Sequence, residues 1–128
     1  MAKSVKLDND TYIDSTGIVH NKTKLSDILT YSTDEKVVGT WIDGKPLYRK
    51  VYSTTSKANI DLSNLNYDYI EIIRTRLKVS GYTRNPYYTS SSDYFRTLID
   101  AQKKLTIEAS ASSISNWTTV LEYTKTTD

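Results

Sequence analysis

The sequence predicts an all-β domain, an antiparallel β-sandwich of about five to seven strands behind an extended N-terminal segment that contains one short helix. Three observations predict it. Eleven tyrosines stand against two tryptophans and one phenylalanine, and together with plentiful Ser and Thr they favour pleated strands, where aromatic and β-branched side chains fit best. From Lys36 onward the apolar residues recur with a period of two, and Asp, Asn, Gly and Ser cluster between the runs as turn signals.

Taken in order, residues 1–35 read as a connector and oligomerisation segment, and residues 36–128 as the sandwich. "SVKL", "TYID" and "IVHN" are short extended pieces, separated by turns at Asp8-Asn9-Asp10 and Ser15-Thr16-Gly17. In "TKLSDILTY" the spacing of Leu25, Ile28 and Leu29 predicts about two helical turns over Lys24–Leu29, with Thr23 as the cap. A helix this short needs something to dock on.

"GTWIDGKPLYRKVYS" reads as a hairpin. A two-residue Asp43-Gly44 loop sets Trp41 opposite Pro46 and Thr40 opposite Leu47. A four-residue "DGKP" loop sets Trp41 opposite Tyr48, Ile42 opposite Leu47 and Val38 opposite Val51, and it keeps Pro46 out of the ladder. The second register is chemically consistent. It puts Val38, Ile42, Leu47 and Val51 on one face and Val37, Trp41, Tyr48 and Tyr52 on the other, so both faces need cover.

After a polar loop, "NIDLSNLNYD" is a short strand running into a turn-rich connection. Tyr69–Val79 is the longest predicted strand. Ile73, Leu77 and Val79 share one side, while the other changes from Ile70 and Ile72 to Arg74, Arg76 and Lys78. "GYTRNPYYTSSSD" reads as a long loop of the kind that often carries function. "YFRTLIDAQ" and "KLTIEAS" follow as strands, the latter with Leu105, Ile107 and Ala109 together, and Ser110–Ser115 as a turn. The final strand places Trp117, Leu121 and Tyr123 on one face.

Composition narrows the function. A net charge of +2 gives no reason to expect a nucleic-acid partner, and no run is long and apolar enough for membrane insertion or export. There is no cysteine, hence no disulfide frame or thiolate metal site. No phosphate loop, cofactor motif or catalytic constellation stands out. His20 is the only histidine and reads as structural; "DND" lacks the residues that complete a calcium loop; the sequons at Asn21 and Asn116 are chance triplets. The expectation is a protein without enzymatic activity, metal or cofactor.

Two features suit binding. Tyr82, Tyr87 and Tyr88, with Arg84 and Asn85, supply rings and hydrogen-bonding groups suited to a sugar; the same tyrosines also suit pinning the loop to the sandwich. Arg74, Arg76 and Lys78 project from one strand face and suit the phosphates of a wall polymer such as teichoic acid. Such a row also serves as a solvated face that keeps a strand from pairing with strangers.

"DNDTYIDSTGIVHNKTKLSDIL", "VVGTWIDGKPLYRKVYS" and "VLEYTKTTD" together resemble the C-terminal module of tail-fibre and minor tail structural proteins of tailed phages and prophages of Gram-positive bacteria. The resemblance implies a virion component at the fibre tip or tail tip, made in the bacterial cytoplasm, commonly homotrimeric and in contact with other tail proteins. A trimer covers the second hairpin face, with Leu25, Ile28, Leu29, Trp41, Tyr48 and Tyr52 as expected interface residues. The other possibility is cover from the same chain, by the loop after Leu62. Three other functions remain open at this level: a stand-alone carbohydrate-binding module, a purely structural cap that trimerises a fibre, and a small glycan-active enzyme using Asp93, Asp100 or Glu108.

Overall fold

The computed structural model describes residues 5–7, 11–14, 17–20, 23–55, 59–79, 82–84, 87–91, 93–110 and 116–128, and of residues 78, 79, 82–84, 87–89 and 93 the backbone only. The fold is all-β. Among the described residues the strands form three antiparallel sheets, and two of them pack as a sandwich.

The N-terminal segment is more ordered than a string of extended pieces. β1 (Val5–Lys6), β2 (Thr11–Asp14), β3 (Gly17–His20) and β4 (Thr23–Lys24) pair in sequence as a four-stranded meander. α1 (Leu25–Leu29) follows directly and is shorter than the predicted helix. Thr23 does not cap it: Lys24 holds that position without a side-chain bond, and Thr23 is a buried residue of β4.

The five-stranded sheet runs in the order β5 (Lys36–Thr40), β6 (Pro46–Thr54), β13 (Asn116–Lys125), β8 (Tyr67–Val79) and β9 (Tyr82–Arg84). Facing it is a four-stranded sheet in the order β10 (Tyr87–Ser90), β11 (Asp93–Ile99), β12 (Lys104–Ala109) and β7 (Asn59–Asp61). Trp117, Leu121 and Tyr123 on β13 and Leu77 on β8 meet Phe95 on β11 and Leu105, Ile107 and Ala109 on β12. Leu62 and Leu65 flank a 3₁₀ turn (Ser63–Leu65) and enter the same core. The Trp117 indole N–H donates to Thr119 Oγ1 at 2.6 Å, and Thr119 bonds Thr75 across the strands at 3.1 Å. The Trp117 indole and the Thr119 and Thr75 hydroxyls are thereby satisfied.

Residues 81–93 do not form one long loop. β9 extends the larger sheet and β10 edges the smaller one, so the chain changes sheets between Arg84 and Tyr87.

The hairpin register differs from both predicted alternatives. Val37 pairs with Tyr48, then Gly39 with Leu47 and Thr40 with Pro46, which leaves Val38 as an extra residue in a β-bulge. The Trp41 N–H donates to the Lys45 carbonyl at 2.8 Å, and the Gly44 N–H to the Trp41 carbonyl at 2.9 Å. Gly44 has φ +90°, a left-handed value that a side chain would strain. Pro46 opens β6 rather than lying in the loop; the first position of a strand tolerates its missing N–H.

One extra residue reverses every side chain beyond it. Trp41 therefore leaves the Val37–Tyr48 side and joins Leu47. Tyr48 and Tyr52 stay on the inner side and pack against the core. Tyr48 stacks on Tyr123 at 5.7 Å and donates its hydroxyl to Asp128 at 2.7 Å. These two tyrosines, expected at an oligomer interface, thus pack within their own chain, and Trp41 is 44% exposed on the other face of the sheet.

Candidate binding face

The outer side of the five-stranded sheet is where large apolar, acidic and basic side chains meet solvent together. A second bulge builds it. Along β8, Leu77 pairs with Trp117 and Thr75 with Thr119, but past Arg74 the ladder resumes at Ile72 with Leu121 and Ile70 with Tyr123, leaving Ile73 unpaired. Odd-numbered residues face the core on the Thr75–Leu77 side of the bulge and even-numbered ones on the Ile70–Ile72 side, until a further irregularity at the start of the strand returns Tyr67 to the core. This explains the change of character read along that strand: Ile70 packs inward, whereas Tyr69, Glu71, Ile73, Arg74 and Arg76 all line concavities of the outer side.

The first concavity is a groove of about 610 Å³, counting its solvent-filled mouth, lined by Trp41, Leu47, Tyr69, Glu71, Ile73 and Glu122. Trp41 and Tyr69 belong to chain segments separated by β6 and β13, a backbone distance of roughly 14 Å. Leu47 on β6 and Glu122 on β13 lie between them. Glu71 and Glu122 are direct cross-strand partners, so their Cβ atoms lie roughly 5 Å apart. Burial pushes the Glu122 carboxyl above the usual range; the Arg49 charge pulls it back, and the Glu71 charge adds to the push. At the sheet end beside this groove Lys45 donates to Asp68 and to the Lys125 carbonyl, while Thr124 also donates to Asp68. Those bonds hold the Asp68 carboxyl down at about 2.

The second concavity gathers Tyr31, Val51, Arg74, Arg76, Thr118 and Val120. Its predicted arginines are therefore brought together on one face. Lys78 continues the row in register, opposite Asn116, but its side chain lies outside the described residues. The side chains of Tyr82, Arg84, Tyr87 and Tyr88 lie outside them too; their backbone is in strands of two different sheets.

Between the concavities and the N-terminal unit stands Arg49, buried on β6. It donates to the carbonyls of Asp27 and Ile28 at 2.8 Å each, and its guanidinium lies 4.0 Å from the Tyr31 ring centre. The end of α1 is thereby tied to the sheet of the same chain. Leu25, Ile28 and Leu29 remain exposed, Leu29 at 70%.

The carboxylates considered for glycan chemistry are engaged elsewhere. Asp100 accepts from the Gln102 and Lys104 amides in the turn before β12, Glu108 pairs with Arg96, and the Asp93 side chain lies outside the described residues. Among the described residues no three His, Cys, Asp or Glu side chains gather to hold a metal, and no helix is long and apolar enough to cross a membrane. His20 Nδ1 bonds the Thr11 hydroxyl across β2 and β3.

Sequence reasoning found the arginines because an uninterrupted strand segment keeps period two. It missed the Trp41–Glu71–Glu122 groove, because two bulges change the phase on either side of it. The only local signal was the acidic Glu71 standing between Ile70 and Ile72. No family model, no curated protein sequence and no solved structure matches this chain, so the site stands on its own geometry.

Proposed function

We propose that the chain is a non-enzymatic recognition and assembly module of a phage tail fibre or tail tip, which meets an anionic polymer of the host wall through the outer face of its larger sheet. The observation that carries this reading is the open concavity in which Arg74 and Arg76 stand beside Tyr31. Arginine forks suit phosphate oxygens, and a neighbouring ring suits the apolar side of a sugar or polyol. The virion setting comes from the resemblance of "GTWIDGKPLYRK" and "EYTKTTD" to tail-fibre modules.

Assembly as a homotrimer is part of the same proposal. Its support is the N-terminal unit, where Val5, Leu7, Ile13, Ile18, Leu25 and Leu29 are all exposed and single strands so short bury little by themselves. Contact with other tail proteins and location in the virion follow from the same resemblance.

The test is co-sedimentation of the purified protein with Gram-positive cell walls before and after removal of teichoic acid, with an Arg74→Ala/Arg76→Ala variant alongside. Binding that disappears with the polymer and with the arginines supports recognition; binding indifferent to both overturns it. Light scattering tests assembly separately. A trimer that Leu25→Ser/Ile28→Ser weakens, with strand content intact, is expected, and a monomer at micromolar concentration rejects the assembly.

A further inference from the structure

We infer that the groove between Trp41 and Tyr69 is a site for an organic ammonium group, primary or quaternary, carried on a small apolar or sugar frame. The argument begins with a local conflict. Two carboxylates face each other across adjacent strands, an arrangement that destabilises a sheet by like-charge repulsion. No basic side chain lines the groove among the described residues. The nearest cation in register, Arg49, sits opposite Glu122 on β6 and its charge acts on that carboxylate, but its hydrogen bonds go to the carbonyls of Asp27, Ile28 and Thr30 and it is not among the groove's lining residues. Lys45, at the sheet end, is committed to Asp68.

The carboxylate pair lies beside the surfaces that bind cations best. Tryptophan and tyrosine faces attract an ammonium through the ring quadrupole, most strongly where water is displaced. Trp41 is 44% and Tyr69 78% exposed, so both rings are accessible. Leu47 and Ile73 supply an apolar lining for methyl or methylene groups next to the charge. A neutral sugar also stacks on such rings, but it leaves the repulsion between Glu71 and Glu122 in place. An ammonium relieves it.

This inference deepens the wall-polymer reading and rests on it for the biological source of the ligand. Glu71 and Arg74 flank the bulge on β8 and pair with Glu122 and Val120, two residues apart on β13, roughly 7 Å along a strand. One outer face therefore offers acceptors for a positive group and donors for a phosphate within the reach of a short zwitterionic repeat. Amino sugars, aminoacyl esters and choline substituents share the required chemistry.

The experiment uses the whole chain, labelled with ¹⁵N, titrated with choline and with glucosamine, each beside its uncharged counterpart, 3,3-dimethylbutanol and N-acetylglucosamine. The Trp41 indole N–H is the reporter, since Trp117 is fully buried. A saturable shift with either ammonium compound, absent or about tenfold weaker with its neutral counterpart, is expected; the choline and glucosamine arms distinguish a quaternary from an amino-sugar source. Glu71→Gln and Tyr69→Ala, which keep the Trp41 reporter, should each abolish the shift, and unchanged strand content shows that the variants still fold. Equal binding of charged and neutral members overturns the inference and leaves a sugar surface. No shift with any of them overturns it too, and if teichoic acid binding through Arg74 and Arg76 persists, the ammonium site alone is rejected.

Discussion

The guanidinium of Arg49 reaches the carbonyl of Ile28 at 2.8 Å, from the middle of a β-strand to the last turn of the only α-helix among the described residues. Helix ends leave carbonyls without partners, and a cation there is stabilising. Arg49→Ala should cost about 2–3 kcal/mol in urea denaturation, since charge-assisted bonds from a buried group are lost. Arg49→Lys should recover less than half of that, because an ammonium cannot span several carbonyls while stacking on Tyr31. Hydrogen exchange at the Thr30 amide, which bonds Ser26, should accelerate in both variants.

The two tryptophans should respond oppositely to truncation. Trp117 is fully buried and its indole is bonded, so Trp117→Ala should cost about 3–5 kcal/mol. Trp41→Ala should cost under about 1 kcal/mol, as for surface positions. Thermal melts of the two variants check this ordering.

Relieving the carboxylate pair should stabilise the empty protein. Glu71→Gln or Glu122→Gln should each gain about 0.5 kcal/mol, within the range for like charges directly opposite in a sheet. The gain should shrink in Glu71→Gln/Glu122→Gln relative to the sum of the singles, since either change alone removes the repulsion. Chemical denaturation at neutral pH measures all three.

Alkali should loosen one end of the sandwich. Burial, and then the hydroxyl's bond to Asp128, raise Tyr48 from 10.0 to about 12; burial and then the bond to Glu35 raise Tyr123 as well. Raised groups contribute stability that is complete below their ordinary pKa and is lost as pH rises through the folded one. Stability should therefore hold to about pH 10 and fall towards pH 12, with tyrosinate absorbance showing late ionisation of a subset of the eleven tyrosines. At the acid end Asp68 works in reverse. Held down mainly by Lys45 and Thr124, it contributes above pH 3.8 and loses its effect as pH falls through about 2.

What could be read from the chain depended on whether a strand keeps its phase. Leu105, Ile107 and Ala109, and Trp117, Leu121 and Tyr123, alternate without interruption, and all six are core residues. The all-β class and the inward faces of those strands followed from that regularity, whereas their membership of two facing sheets did not. Trp41 was misplaced because nothing in "KVVGT" marks Val38 as the surplus residue; the bulge appears only when β5 is laid against β6. The strands at 82–84 and 87–90 were hidden by their Asn, Pro and Ser neighbours and by their shortness, since a three- or four-residue run shows too little alternation to recognise. The arrangement of Arg74 and Arg76 was legible, while their companion Tyr31 comes from a distant segment that no local pattern connects to them.

The surplus residues at 38 and 73 also set what heredity can do with this face. Because the ladder resumes with Ile72 opposite Leu121 and Glu71 opposite Glu122, loss of the single codon for Ile73 would leave every remaining pair along β8 in place and every side chain on its present face, removing only the bulge and the Ile73 wall of the groove. A one-codon deletion in an unbulged part of a strand has no such slack, since it turns the residues beyond it to the opposite face. The two bulges are thus the places where this surface can change its length by one residue without being rewritten.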